Sequence, residues 1–488
     1  GEKGLSSPAS LNRNGDINFL HEGLWHGNVN KRLQSVLRDE HYERPLNTNF
    51  YHNKPLTLPA SWGNEGKGGI RFEENGDQVV VDNYSGPRSM KAGDTLFYNV
   101  RFLITPFKTI DTQAHFSTRF VHKYVPVDTA LAYGGTVINV HHANEINPYI
   151  NYPFFNLEQQ KAYIDEAHSK GVKVKLYNTI RELTYKAHEL HPMRSLGTEI
   201  FNDGEGGGHG WLQEHLVSNY HSAWHATRVN DAAILNKGTS RWTNYYIEGL
   251  NWLAKNQEID GLYLDDIAFS RATVKRIVSV LNQHRPEIII DLHSANQYNE
   301  RDGYINSAFL YMEHIRYVTR LWFGEYFDYD ADPDYWMAEV AGIPFGLPGE
   351  MLEKGGQPYR GMVYGMTTRV YGPYDPSGLW KLFDEFDIAD SRMLGYWVEE
   401  VPIQTDKAGI KSTIYLKEDK AMIAIGSWSG KNELVKLAID WEALGWNQAD
   451  YRLYSPEIED LQGYEEHTLG VPVPVERNEG SILILDRR

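Results

Sequence analysis

The sequence predicts an α/β protein: a (β/α)8 barrel of the TIM type, flanked by an N-terminal β-sandwich-like domain and a small C-terminal β-sandwich. Three observations predict it. Between residues 110 and 397 short apolar strands alternate with amphipathic helices, giving seven or eight βα units, and a stretch of that length has the size of an eight-fold barrel. On either side the helices drop out and alternating strand patterns take over. Polar side chains also collect at the ends of several apolar strands, which in a barrel share one mouth. Domains are therefore expected at 1–108, 109–399 and 400–488.

In the first domain, Ile70 to Asp82 reads as a hairpin around Asn75-Gly76, and Leu96 to Ile104 as a further strand; Asn-Gly between apolar alternations is a strong hairpin signal. Thr105-Pro106-Phe107-Lys108 breaks the pattern and reads as a linker. The first barrel strand is read at Gly135–His142, followed by a helix from Asn156, its N-cap, to Lys170. Val172–Tyr177 is the second strand, and Trp224-His225-Ala226 ends a third. The Gly-rich run between them, Gly204 to Trp211, lacks the Lys-Ser/Thr of a phosphate loop and reads as a loop over a site. Helices follow at Ser240–Gln257 and Ala272–Gln283, with the strand Ile259–Asp266 between them. Then come a strand at Glu287–Asn296, a helix at 304–317 and the strand Leu321–Glu325. Ile343–Gly346 and Met362–Met366 are the weakest strands, and Leu379–Trp397 closes the barrel as a helix. Alternation returns at Lys411–Leu416, Ala421–Ser427, Val435–Ile439 and Ile482–Leu485.

Composition narrows the function. Charged residues make up 23% and apolar residues 41% of the 488, ordinary for a globular chain. The net charge of -17 argues against nucleic acid and anionic membranes as partners. There are no cysteines, so disulfides, thiolate metal sites and thiol nucleophiles are excluded. No apolar run approaches the length of a membrane span. Aromatics reach 13%, with 31 Tyr and 13 Trp, an excess suited to stacking on sugar faces and also to large cores. The chain starts at Gly1 without Met, and a processed, periplasmic or secreted protein is the expectation.

Chemistry is expected at the strand ends. Asp265 and Asp266 close the most apolar strand, where a carboxylate is costly unless it is used or paired. His141, His142, Arg181, Glu182, His225, Asp291, His293 and Glu325 end other segments. A mouth of carboxylates and aromatics suits glycoside hydrolysis, which needs one carboxyl to protonate the leaving oxygen and another to attack the anomeric carbon or activate water. Alternation along the strand puts Tyr263 and Asp265 on one face and Leu262, Leu264 and Asp266 on the other. Asp266 is preferred as nucleophile, with Asp265 kept. Glu325 is preferred as general acid, with Glu313 second. Trp211, Trp224, Trp242 and Trp322 are candidate sugar platforms, each more often core. The histidines lack His-x-His or His-Glu-x-x-His spacing, so they read as hydrogen-bond donors to substrate, or as buried and satisfied, and no metal or cofactor is expected.

Taken together, several of these segments resemble a known group. They are Leu103–Lys108, His141-His142-Ala143, Arg181-Glu182-Leu183, Trp211–His215, Gly261–Asp266, Asp291–Ser294 and Trp322–Tyr326. The set is similar to bacterial glycoside hydrolases of polysaccharide-degrading Bacteroidetes, related to family 129 and more distantly to families 101 and 123. The resemblance implies a (β/α)8 barrel with β-domains on either side. Family 129 implies a retaining mechanism with an Asp nucleophile and a downstream Glu acid/base, and substrates such as α-N-acetylgalactosaminides or carrageenan oligosaccharides that yield 3,6-anhydro-D-galactose. Family 123 implies an Asp-Glu pair that assists attack by the substrate's own acetamido group; here the pair is Asp265-Asp266. The reading is thus an exo-acting, retaining enzyme on an oligosaccharide. Its rivals are a substrate-assisted β-N-acetylhexosaminidase, a non-catalytic sugar-binding protein on the same fold and a metal-dependent hydrolase.

Overall fold

The computed structural model describes residues 23–27, 32–38, 59–76, 78–105, 108–179, 182–184, 186–201, 231–233, 240–265, 270–294, 312–323, 330–337, 349–351 and 357–488. Its centre is an eight-stranded, all-parallel sheet. The strands are β1 Phe120–Val121, β2 Val137–Val140, β3 Lys173–Asn178, β4 Gly261–Asp265, β5 Ile289–Ser294, β6 Arg320–Phe323, β7 Gly349–Met351 and β8 Arg369–Val370. They pair in chain order from β1 to β7, and β8 returns to β1 through Arg369↔Phe120 and Val370↔Val121. That return gives the strand order of a barrel of the expected type, with no pairing of β7 to β8 among the described residues.

Strand periodicity divides the side chains between two environments. Val121, Ile138, Val140, Val174, Leu176, Leu262, Leu264, Ile290, Leu292, Leu321 and Phe323 belong to the core between sheet and helices. The opposite faces turn inward and form a second cluster of Phe120, Val137, Tyr177, Tyr263 and Trp322. The helices obey local rules. Ser240 caps Arg241–Asn256 by accepting from Thr243 N–H, and Ser270 caps Arg271–Asn282 by accepting from Thr273 N–H. Asn156 sits at the N-cap of Leu157–Ser169, but its amide donates to the Glu145 carbonyl instead.

Several expected elements differ. The segment expected as the first strand is β2; β1 precedes it and spans two residues, too short to show an alternation. Met362–Met366 is not a strand. Pro358–Val363 is a helix with Pro at its first turn, and Gln357 caps it by accepting from Arg360 N–H at 2.6 Å. β8 follows at Arg369. The closing helix is Ser377–Phe386 and stops at Asp387, whose φ of 57° is left-handed. Of the helix expected at 304–317, the described part, Met312–Tyr317, is a 3-10 helix. Trp224–Ala226 and Ile343–Gly346 lie outside the described residues.

The flanks are β-rich. Gly23–Gly27, Arg32–Arg38 and Asn99–Thr105 form an antiparallel sheet. In the hairpin Gly69–Asn75 and Gln78–Tyr84, Asn75 pairs with Gln78, so the turn opens one residue later than expected, at Gly76, whose φ is 60°. The C-terminal region is a six-stranded antiparallel sheet with two smaller strand pairs. One face of the large sheet, with Ile414, Ile423, Ile425, Leu483 and Leu485, packs under those pairs. The other face, with Tyr415, Met422, Ala424, Ile482 and Ile484, joins the barrel core. Tyr415 donates to Met362 O at 2.7 Å, and Arg360 Nε to Ser427 O at 2.9 Å, fixing this sheet to the helix before β8.

At the N-terminal end of β4 a single carboxylate ties three elements together. Asp260 accepts from His168 Nε2 at 2.7 Å, from Val174 N–H at 2.8 Å and from Arg285. Its side chain is 5% exposed. Asp260→Ala is expected to cost about 3 kcal/mol, because it strands the partly buried Arg285 guanidinium and the buried Val174 amide together. Urea unfolding at neutral pH measures this; a loss within about 0.5 kcal/mol, typical of a surface site, would contradict it.

Candidate active site

The barrel interior is unusually polar. Lys175 on β3 and Asp291 on β5 form an ion pair with both side chains 0% exposed. To reach each other they cross β4 at Gly261. A Cβ there would sit 1.8 Å from Ile289 O and 3.0 Å from Lys175 Cδ, so only glycine leaves the passage open. Arg320 lies over the Phe120 ring at 4.6 Å and donates to His115 O at 3.1 Å. Arg369 lies over Trp322 at 3.7 Å and over Tyr371 at 4.8 Å. Cations stacked on ring faces retain attraction where water is excluded.

Above this layer the strands end in the mouth. Asp265 is opposite His293 in the β4–β5 register, and His293 is opposite Trp322. The Asp265 carboxylate accepts from Tyr177 Oη through Oδ2 at 2.5 Å, and Oδ1 lies 2.8 Å from His293 Nδ1. Tyr177 is itself wedged: the His141 ring lies 4.0 Å from it, the His142 ring 4.9 Å, and Tyr263 stacks at 5.8 Å. His122, at the end of β1, packs 4.6 Å from Tyr263 and 5.1 Å from Trp322, with its Nδ1 3.3 Å from the Asn139 amide. The loop after β2 carries its own polar frame. Ala143 is left-handed at φ 66°, Asn147 donates to Val140 O at 3.2 Å, and Asn151 accepts from Thr179 N–H at 2.9 Å.

Three of the histidines, His122, His141 and His142, are held neutral. Burial pushes His141 down to about 4 and outweighs the Asp265 charge that opposes it. Burial and the neighbouring His141 push His142 down to about 3. His122 is lowered well below the usual imidazole range by burial and by Arg369. Neutral imidazoles each keep one donor and one acceptor, suited to sugar hydroxyls.

The structure brings Asp265, His293, His141 and His142 together as expected of strand ends. It reverses the choice of face on β4: Leu262 and Leu264 turn to the helices, and Tyr263 and Asp265 turn inward. Asp291 lies a layer below the mouth as the partner of Lys175. Trp322, also expected as a platform, is 0% exposed in that interior, and Trp242 is 0% exposed in the helix-side core. Glu313 falls on the 3-10 helix that leads into β6 at its N-terminal end, opposite the mouth, because in a barrel the segment before a strand enters from below. Glu182 sits on a short strand, Glu182–Thr184, paired with Asp231–Ala233 outside the barrel. Asp266, Glu325, Arg181, Trp211 and His225 lie outside the described residues. Sequence reasoning missed Tyr177, His122, Lys175 and Arg369. Tyr177 was detectable: it shares the inward period of Lys173-Val174-Lys175-Leu176-Tyr177. Among the described residues no group of three or more His, Asp or Glu is arranged to hold a metal ion, and no helix is long and apolar enough to cross a membrane.

In a parallel barrel the C-terminal mouth, here with a doubly hydrogen-bonded carboxylate beside neutral imidazoles, is where an enzyme's chemistry is done. Comparison of the chain with known families places it more narrowly. The TIM-barrel domain of glycoside hydrolase 123 matches residues 111–371, its C-terminal domain residues 375–486 and its third domain residues 1–106. The chain belongs to glycoside hydrolase family 123, the more distant of the expected relatives; family 129 is not shown by these matches. No curated protein matches the chain. Among solved structures it is similar to an α-amylase from Geobacillus thermoleovorans complexed with acarbose (12% identity, 78% of this chain and 100% of that one, TM-score 0.47). An Anoxybacillus α-amylase is also similar (11% identity, 74% and 90%, TM-score 0.47), as is one from Lactobacillus plantarum (12% identity, 76% and 99%, TM-score 0.48).

The depressed imidazoles have a consequence for stability. Between about pH 6.5 and about pH 4 the unfolded chain binds protons at His141 and His142 that the folded chain refuses. Stability therefore falls as pH drops through that window and is fully restored above it. Melting temperatures measured from pH 7 to pH 4.5 are expected to decline, and less steeply in a His141→Asn, His142→Asn variant. An unchanged slope in that variant would contradict the burial account.

Proposed function

We propose that the protein is an exo-acting, retaining glycoside hydrolase that removes a terminal galactose-type sugar from an oligosaccharide in a periplasmic or extracellular setting. The observation that carries this reading is Asp265, held inward at the barrel mouth by Tyr177 and His293. Two donors favour the ionised carboxylate, the form that can attack an anomeric carbon or face its developing positive charge.

In the proposed cycle an Asp265 oxygen attacks the anomeric carbon as the glycosidic oxygen leaves. Glu325, two residues beyond the end of β6, gives that oxygen a proton. Glu325 then takes a proton from water, which displaces Asp265 and releases the sugar with its configuration retained. Asp266 is the neighbouring second carboxylate. The substrates proposed are carrageenan oligosaccharides ending in 3,6-anhydro-D-galactose, or α-N-acetylgalactosaminides.

A second reading is favoured by the family itself. In acetamido-assisted hydrolysis the substrate's own N-acetyl group attacks, and Asp265 orients and stabilises it. The two readings part on linkage: the acetamido group can attack in line only where it is trans to the leaving oxygen, in a β-linked N-acetylhexosaminide, whereas the first reading acts on α-linked sugars.

The test is a product screen by mass spectrometry on α-N-acetylgalactosaminides, β-N-acetylgalactosaminides, α-galactosides and anhydro-galactose-terminated carrageenan oligosaccharides, followed by Asp265→Asn on the active class. Release of one monosaccharide from one class, and a fall in kcat of roughly 10³-fold in the variant, are expected. A variant within tenfold of wild type would remove Asp265 from the chemistry.

A further inference from the structure

We propose that a groove along the barrel's last helix is a second carbohydrate site, which holds a neutral oligosaccharide on residues none of which belongs to the mouth. The proposal goes beyond the hydrolytic reading and takes from the family only the class of ligand. The groove has a volume of about 730 Å³, within the range of small-molecule and sugar clefts. It lies between the helix Ser377–Phe386 and the C-terminal sheet. The helix contributes Gly378, Lys381, Leu382, Glu385 and Phe386, a single face at spacings of three and four. A ten-residue helix is about 15 Å long, enough to accompany a short chain of sugars.

The lining has the two components that sugar recognition needs. The floor is apolar and nearly closed: Leu382 is 6%, Phe386 3% and Ile484 4% exposed. Beside it stand two tyrosine rings whose centroids are 5.7 Å apart, Tyr454 and Tyr464, and Tyr464 remains 55% exposed. Their hydroxyls are engaged, Tyr464 with Glu466 at 2.9 Å and Tyr454 with Asp486 at 3.3 Å. Both rings are thereby held in orientation; Arg452 lies over the Tyr454 ring at 4.8 Å, so Tyr464 is the ring that offers a face for stacking, with little rotamer freedom lost on binding. The walls carry charged hydrogen-bonding groups of both signs: Lys381 and Lys420 against Glu385, Glu457, Glu459 and Asp486. With Arg452, which pairs with Asp486 at 2.8 Å, three cations against four anions leave a net charge of -1. That balance suits hydroxyl groups and repels a sulfated chain.

The test uses the full chain carrying Asp265→Asn, titrated calorimetrically with a neutral agarose-derived hexasaccharide, with and without Tyr464→Ala. The parent is expected to bind the hexasaccharide in the groove. Adding Tyr464→Ala should weaken that binding by at least about tenfold, with the melting temperature within about 2 °C of the parent. A sulfated carrageenan hexasaccharide should bind the groove at least about tenfold more weakly than the neutral one. Unchanged stoichiometry and affinity after Tyr464→Ala, or equal groove binding of the sulfated chain, would overturn the proposal. Failure of the mouth assignment would show separately, as monosaccharide released by the Asp265→Asn protein, and would leave the difference between the paired titrations intact.

Discussion

The buried ion pair of Lys175 and Asp291 is the constraint on which the barrel depends. Two charges without water are costly, and either one alone would cost several kcal/mol more. Their union requires an unobstructed passage across β4, which only Gly261 provides. It also fixes the inward period of the neighbouring strands. Once Lys175 points inward, Tyr177 does too; once Asp291 points inward, so does His293. Those two residues are the donors that hold Asp265. The mouth is thus set by the layer beneath it.

Charge is then separated by depth. Cations lie low, with Lys175, Arg320 and Arg369 against Asp291 and the faces of Phe120 and Trp322. The imidazoles above them are driven neutral by burial and by that positive layer. Asp265 therefore sits close to the neutral His141 and His142, with Lys175, Arg320 and Arg369 in the layer below. This arrangement favours positive charge developing above the carboxylate, which is what glycoside cleavage produces.

Much of the fold was legible in the sequence, and the reason is physical. Outward faces of barrel strands are aliphatic, so Val137 to Val140, Val172 to Tyr177 and Ile259 to Asp265 stood out as strands between helices with Ser caps. The inward faces misled. A polar residue in an apolar strand looks like a strand end, which is why Asp291 was taken for the mouth when it lies a layer deeper. Alternation showed that one of Asp265 and Asp266 turns inward but not which; in this barrel the leucines face the helices and Asp265 turns inward. Ladders of two residues, as in β1 and β8, leave no period to read, and His122 was missed with β1. Trp322 could not be told from a platform, since depth in a barrel follows from register and not from residue type.

The most direct test of the central claim is covalent trapping. A 2-deoxy-2-fluoro-galactosyl fluoride slows release of a glycosyl-enzyme more than its formation, so the attacking residue stays labelled. Digestion and tandem mass spectrometry then locate the added mass. The account predicts one label per chain, on the peptide that spans Gly261 to Asp265 and on Asp265 within it. A label on a different carboxylate, or an unlabelled enzyme that turns over natural substrate at full rate, would contradict it.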